Sequence, residues 1–267
     1  MFHVLTHHAE IMFAVTEQTV FNSNILLLSA FCALAFALIH MLSGKLHLLR
    51  ETPRNQWLSF GSGVSVAYVF VHILPELNKA QKTVKSSLEN GLVFLEHHVY
   101  LVALLGLAVF YGLERFAIES RQRNQKVGKG DVTASGVFWI HIASFAIYNA
   151  FIGYLLLHRE EKGIQSLFLF FFAMALHFVV NDYGLREHHK AIYDRIGRWI
   201  LATAIIVGWV IGSATVIDKA AVAVLFAFLA GGVVLNILKE ELPEERESRF
   251  WSFALGAGAY TILLLAI

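Results

Sequence analysis

Within the apolar stretches of this 267-residue chain, the ionisable side chains are His40, His72 with Glu76, Glu114 with Arg115, His141, His177 with Asp182, and Glu240 with Glu241. In hydrocarbon an ionisable group costs about 2.5–3.5 kcal/mol on insertion scales, so each calls for a partner, a cavity or a task. His72 and Glu76 are four residues apart and share one helix face, and Pro75 has no N–H for the Val71 carbonyl. An imidazole, a carboxylate and a freed carbonyl then converge, either on a passing cation or proton or at a capped helix end in water. Asn236 and Glu240 repeat the spacing ahead of Pro243, which frees the Lys239 carbonyl. The five acids from Glu240 to Glu247 also read as a solvated boundary.

Two further stripes have helical spacing: His141, Phe145, Tyr148, Asn149 and Ile152, and then His177, Asn181, Gly184 and His188. Facing one another, they would line a polar path with His141 and His177 as candidate metal ligands, since imidazole suits zinc, copper, iron or nickel. Asp182 adds a carboxylate, turned about 140° from His177 by helix geometry. A tetrahedral zinc site takes three or four protein ligands, and the competing reading is of hydrogen-bonded packing residues. His3, His7 and His8 form a second cluster, either gathering metal or simply solvated; His97, His98, His158, His188 and His189 fall at expected boundaries.

The elements that must position these groups follow from composition. The chain is 57% apolar and 15% charged, with 22 Phe and a mean hydropathy of +0.61, too little polar sequence to coat a soluble core. We expect an all-α integral membrane protein with spans at 25–49, 57–77, 97–118, 134–157, 164–185, 198–216, 219–239 and 250–267. Only Asp218 and Lys219 separate the sixth and seventh runs, so a seven-span count stays open. Residues 1–23 read as an external N-terminal arm, 24–267 as one membrane domain, and about 119–133 as a cytoplasmic loop. Of the 21 Lys and Arg, fifteen fall on the side holding Arg121, Arg123, Lys126 and Lys129, which places both termini outside a cell membrane.

A net charge of +1 with no basic tract excludes a nucleic-acid surface, and Cys32 has no partner for a disulfide. No phosphate-cradling loop or nucleophile elbow is present. Leu74-Pro75-Glu76 recurs as Leu242-Pro243-Glu244, in spans expected to cross in opposite directions; this is the pattern of an inverted repeat, or of a common helix-end tripeptide. Gly208 with Gly212, and Gly256 with Gly258, mark close packing, inside the bundle or at a homodimer seam.

The stretch from Ser59 through Gly61, Gly63, His72, Pro75, Glu76 and Leu77 resembles the second helix of ZIP-family metal transporters, with its glycine-rich start and His-x-x-Pro-Glu. Ala230-Gly231-Gly232 running into Glu240 and Leu242-Pro243-Glu244 resembles the seventh. The resemblance implies eight helices in a 3+2+3 inverted-repeat bundle, and a metal site on the fourth and fifth helices. There the chain departs from the family. Tyr148-Asn149-Ala150-Phe151-Ile152-Gly153 has tyrosine and isoleucine where the family carries histidine and glutamate, and His177-Phe178-Val179-Val180-Asn181 lacks the proline and glutamate.

The expected function is therefore passage of a divalent cation of the zinc, iron or manganese class into the cytoplasm, through a shifted site of His177, Asn181, Asp182, His141 and Asn149. His72, Glu76, Asn236 and Glu240 would form the path or gate. The metal is cargo, no tightly bound cofactor is expected, and the bilayer is the partner. The alternatives are a non-transporting ZIP-like scaffold or sensor subunit, and an intramembrane zinc hydrolase built near Ser43 and His47.

Overall fold

The computed structural model describes residues 23–43, 54–87, 98–159, 163–237 and 249–266. Within them every regular element is helical: α1 (Ser23–Leu42), α2 (Arg54–Tyr68), α3 (Leu74–Ser87), α4 (His98–Lys126), α5 (Ser135–Leu155), α6 (Ile164–His189), α7 (Arg198–Ala214), α8 (Lys219–Asn236) and α9 (Phe250–Leu265). A π turn, Val69–Ile73, joins α2 to α3, so the two form one bent rod; a second, Tyr193–Gly197, leads into α7. The arm, His47, and Glu240 to Glu247 lie outside the described residues.

Among the described residues, seven helical rods, the bent α2–α3 rod counted as one, are long and apolar enough to cross a membrane, and α9 is a shorter apolar helix of 16 residues. Large apolar side chains on the outer faces, Phe70 at 65% and Ile147 at 72% exposed among them, suit a lipid surround rather than water. The chain is thus a multi-pass helical membrane bundle. Several ends differ from the hydropathy reading. α3 runs to Ser87 and α4 continues to Lys126, so the segment 119–133 begins as helix. Polar side chains prolong these rods past the apolar window.

Two local signals explain breaks in the helices. Asp218 caps α8, its Oδ1 accepting from Ala220 N at 2.9 Å and Ala221 N at 3.2 Å, which separates the sixth and seventh runs in only four non-helical residues. Ile217 N donates to Tyr154 Oη at 2.9 Å and ties that turn to α5. At Pro75, a wider turn absorbs the clash that a proline ring makes with the carbonyl four residues back. Leu74 N donates to Val69 O, five residues back, within the π geometry.

Three helix pairs dominate the packing: α2 with α9, α4 with α8, and α5 with α7. Each crosses at two glycines in the same register. Gly63 lies against the Phe253 carbonyl and Ala257 N, and Gly256 against the Phe60 carbonyl. Gly231 lies against the Ala103 carbonyl and Leu107 N, and Gly106 against Phe228. Gly153 lies against the Ile205 carbonyl and Trp209 N, and Gly208 against Ala150. Backbone meets backbone at each crossing, where no Cβ fits. The first pair runs parallel: Arg249 N donates to Ser59 Oγ at one end, and the Tyr68 and Tyr260 rings meet at the other. α1 packs on α6 through Phe36, which contacts Phe171 and Phe178 with ring centroids 5.0 Å away in each case.

Candidate functional site

α5 and α6 carry half of the buried polar side chains among the described residues, and the structure divides the sequence-derived set between two faces. His141, His177 and Asn181 line one partly open chamber, together with Glu114 and Phe110 of α4, Tyr148 of α5 and Asn236 of α8, with about 370 Å³ of empty space. Asn149 and Asp182 turn the other way, toward α1. That split is what helix geometry requires, because residues five apart on α6 cannot share a face.

In the His177 chamber the Tyr148 hydroxyl lies 2.8 Å from His177 Nε2, and Asn236 Nδ2 donates to Asn181 Oδ1 at 3.0 Å. His177 Nδ1 and Asn181 Nδ2 are buried with no hydrogen-bond partner among the described residues. Unsatisfied buried nitrogens are costly, and they sit here beside a cavity with room for water. At the chamber mouth His141 Nδ1 lies 3.0 Å from His189 Nε2, and His189 Nδ1 lies 2.6 Å from Thr133 Oγ1. Arg121 Nη1 donates to His188 Nδ1 at 3.3 Å, which leaves His188 Nε2 to donate to Glu114 Oε1 at 2.6 Å. Arg121 also grips Asp131 with Nε at 2.9 Å and Nη2 at 2.6 Å, and this guanidinium holds the Asp131 carboxyl below the usual carboxylate range. The 127–134 turn is thereby strapped across the ends of α4 and α6.

The second face is a closed knot. His40 of α1 has Nδ1 2.8 Å from Asp182 Oδ1 and Nε2 2.8 Å from Asn149 Oδ1, with neither His40 nor Asp182 exposed. Asn149 Nδ2 donates to the Phe145 carbonyl at 2.8 Å, so its oxygen faces His40 and Nε2 is the donor. Tyr193 Oη donates to Asp182 Oδ1 at 2.5 Å, while Asp182 Oδ2 is buried and unpartnered among the described residues. Next to it, Ser43 Oγ donates to the His40 carbonyl at 3.3 Å and accepts from Arg186 Nη2 at 3.2 Å.

At the opposite end of α5, α6 and α8 lies another chamber, with about 530 Å³ of empty space. Its lining includes Tyr68, His72 and Glu76 from the bent rod, His158 and Arg159 after α5, Ser166 and Phe170 of α6, and Phe226 of α8. His72 and Glu76 do share this cavity, as their spacing predicts. Glu76 Oε1 accepts from Lys79 Nζ at 2.6 Å, and the His72 ring stacks on Tyr68 at 4.9 Å.

Among the polar groups that sequence reasoning did not assign to a site are His40, Tyr193, Glu114, Arg121 and His189. Nothing local marks the His40–Asp182 pair, whose members stand 142 positions apart. Glu114 did carry a signal, falling one helical turn after Phe110 on the face that begins at Gly106. Among the described residues, no three His, Cys, Asp or Glu side chains converge as a metal-binding group. No protein-family model, curated protein or solved structure matches the chain.

Proposed function

We propose that the chain is a ZIP-like membrane carrier that passes a divalent cation of the zinc, iron or manganese class toward the cytoplasm. One observation carries this reading: two chambers, each with buried ionisable side chains in its lining, lie at opposite ends of α5, α6 and α8, and the Tyr148–His177 contact forms part of the wall of the second. A cation entering past His72 and Glu76 meets imidazole and amide groups at His177, Asn181 and His141, and leaves between Asn236 and Glu114. Asp182 and Asn149 act from behind through His40, and they become ligands when that knot opens. Soft and borderline metals suit this nitrogen-rich lining.

The 3+2+3 inverted repeat is part of the same proposal, and the glycine crossings support it. Phe60 and Gly63 against Phe253, Gly256 and Ala257 match Phe228 and Gly231 against Ala103, Gly106 and Leu107, member for member. Pro75 and Pro243 each follow their crossing glycine by twelve positions, which makes His72 the counterpart of Glu240. Such repeats place a substrate site at their shared interface. The Lys and Arg asymmetry supports external termini.

Uptake of labelled zinc, iron and manganese into proteoliposomes tests the reading, with wild type, His177→Ala and Asp182→Ala. The account expects wild type to exceed empty liposomes for at least one metal and His177→Ala to lose at least tenfold. Wild type no faster than empty liposomes for every metal favours the second reading, a non-transporting scaffold or sensor. That reading has its own support in the lack of three convergent ligands among the described residues.

A further inference from the structure

α5 and α7 run side by side in the same direction, with Ile142 against Gly197 near one end and Tyr154 against Gly212 near the other. Their outer faces leave an open groove with about 1060 Å³ of empty space. Arg195, Trp199, Thr203 and Val207 recur every four residues along one wall, and Ala146 and Ala150 of α5 lie in the other. The alanines keep the groove deep, and the exposed Ile147 and Trp199 side chains border it on the side that meets lipid.

Charge is confined to one end of the groove. Arg195 is the charged residue of its lining, exposed in the turn that leads into α7, and neither α5 nor α7 contains an Asp or Glu. Asp194, the next residue in the chain, accepts from Arg186 Nε at 2.8 Å, and Arg198 turns toward α1 to donate to the Met41 carbonyl at 3.3 Å. An exposed guanidinium keeps its water and requires no counter-charge inside the protein; its place at the mouth of an apolar groove is what gives it meaning. This end of the bundle also holds Arg121, Arg186 and Lys190.

Length and symmetry select the occupant. From Arg195 to Val207 the groove runs for about 18 Å along the helix axis. One leaflet of a bilayer has a hydrocarbon depth of about 15 Å, so an acyl chain spans the groove with its headgroup level with Arg195. Trp199, one turn deeper, suits the boundary between headgroup and chain. A second copy seated here about a two-fold axis along the membrane normal would instead bring two Arg195 side chains to the same depth of one seam, like charge beside like charge.

We propose that the α5–α7 groove binds one anionic phospholipid, with an acyl chain along Thr203 and the two alanines and the negatively charged headgroup on Arg195. Basic sites between helices at a membrane surface favour such headgroups over zwitterionic ones. The site does not depend on cation passage.

Native mass spectrometry of the full chain in detergent, titrated with phosphatidylglycerol or with phosphatidylcholine of the same acyl chains, tests the site without reading metal flux. Wild type is expected to bind one phosphatidylglycerol about fivefold more tightly than phosphatidylcholine. Arg195→Gln should lose that preference. Arg123→Gln, which removes an exposed charge of α4 outside the groove, should keep it. Thr203→Trp, filling the groove from an exposed position, should weaken binding of both lipids severalfold. Equal affinity of wild type for the two lipids overturns the proposal, as does an undiminished preference in Arg195→Gln or wild-type binding in Thr203→Trp. Equal loss of preference in Arg123→Gln and Arg195→Gln reduces the effect to diffuse surface charge and overturns it too. A wild-type dimer that Thr203→Trp abolishes, with no one-to-one lipid complex, gives the groove to a second copy and has the same force.

Discussion

His40 of α1 and Asp182 of α6 meet at 2.8 Å with no exposure of either side chain, and this pair is one of several polar links between the first helix and the bundle. Removing one partner of a buried pair leaves the other uncompensated, at about 3–5 kcal/mol. Asp182→Asn and His40→Ala should each lower the thermal midpoint by several degrees in detergent, and the double substitution should cost less than their sum. Additive losses would show that the two groups do not interact.

The glycine crossings predict a sharp contrast between similar substitutions. Gly208→Ala, Gly231→Ala and Gly63→Ala place a methyl group into the backbone of the facing helix and should each destabilise by about 2 kcal/mol or more. Gly136→Ala and Gly258→Ala meet nothing within 4 Å and should be neutral or slightly stabilising. Thermal unfolding of the five variants makes the comparison. Similar midpoints across the two sets would contradict the close approach.

Lys190, between α6 and the second π turn, has φ 51° and ψ −129°, a conformation that favours glycine. Lys190→Gly should raise stability by about 1 kcal/mol, strain relief outweighing the added chain entropy. A lower midpoint would mean that the Lys190 contacts to Glu187 and Asp131 matter more than the strain.

Asp131 gives a pH dependence of known sign. Arg121 holds its folded pKa below the ordinary carboxylate value of about 3.9, so its stabilisation is complete above that value and fades as pH falls through the lower folded one. Its side chain is 40% exposed, which makes the effect small. The midpoint of wild type should exceed that of Asp131→Asn at pH 6, and the difference should shrink as pH falls below the ordinary carboxylate value of about 3.9. A difference that is constant with pH would rule out this origin.

Hydropathy made the helices legible, because lipid exposure demands long apolar runs whatever the tertiary contacts. It placed helix ends less well, since polar turns such as Lys79–Ser87 and Glu119–Lys126 extend the same rods past the apolar window. Of the glycines singled out for close packing, Gly208, Gly212 and Gly256 do meet a neighbouring helix, whereas Gly258 faces open space. The spacing of His72 with Glu76 and of His177 with Asn181 correctly grouped each pair in one cavity. The facing of α1 was not legible: no periodicity states which of several helices meets His40, and Tyr193 reaches Asp182 only because the π turn redirects it.

The central claim is that the two chambers reach opposite faces of the membrane, and thiol labelling tests it most directly. In a Cys32→Ala background, where no native thiol remains, Ser166→Cys reports on the Glu76 chamber and Asn236→Cys on the His177 chamber. With a membrane-impermeant maleimide, intact cells should label one of these positions, and the other should react only after permeabilisation. Labelling of both positions from the same side, or of neither after permeabilisation, would contradict the account.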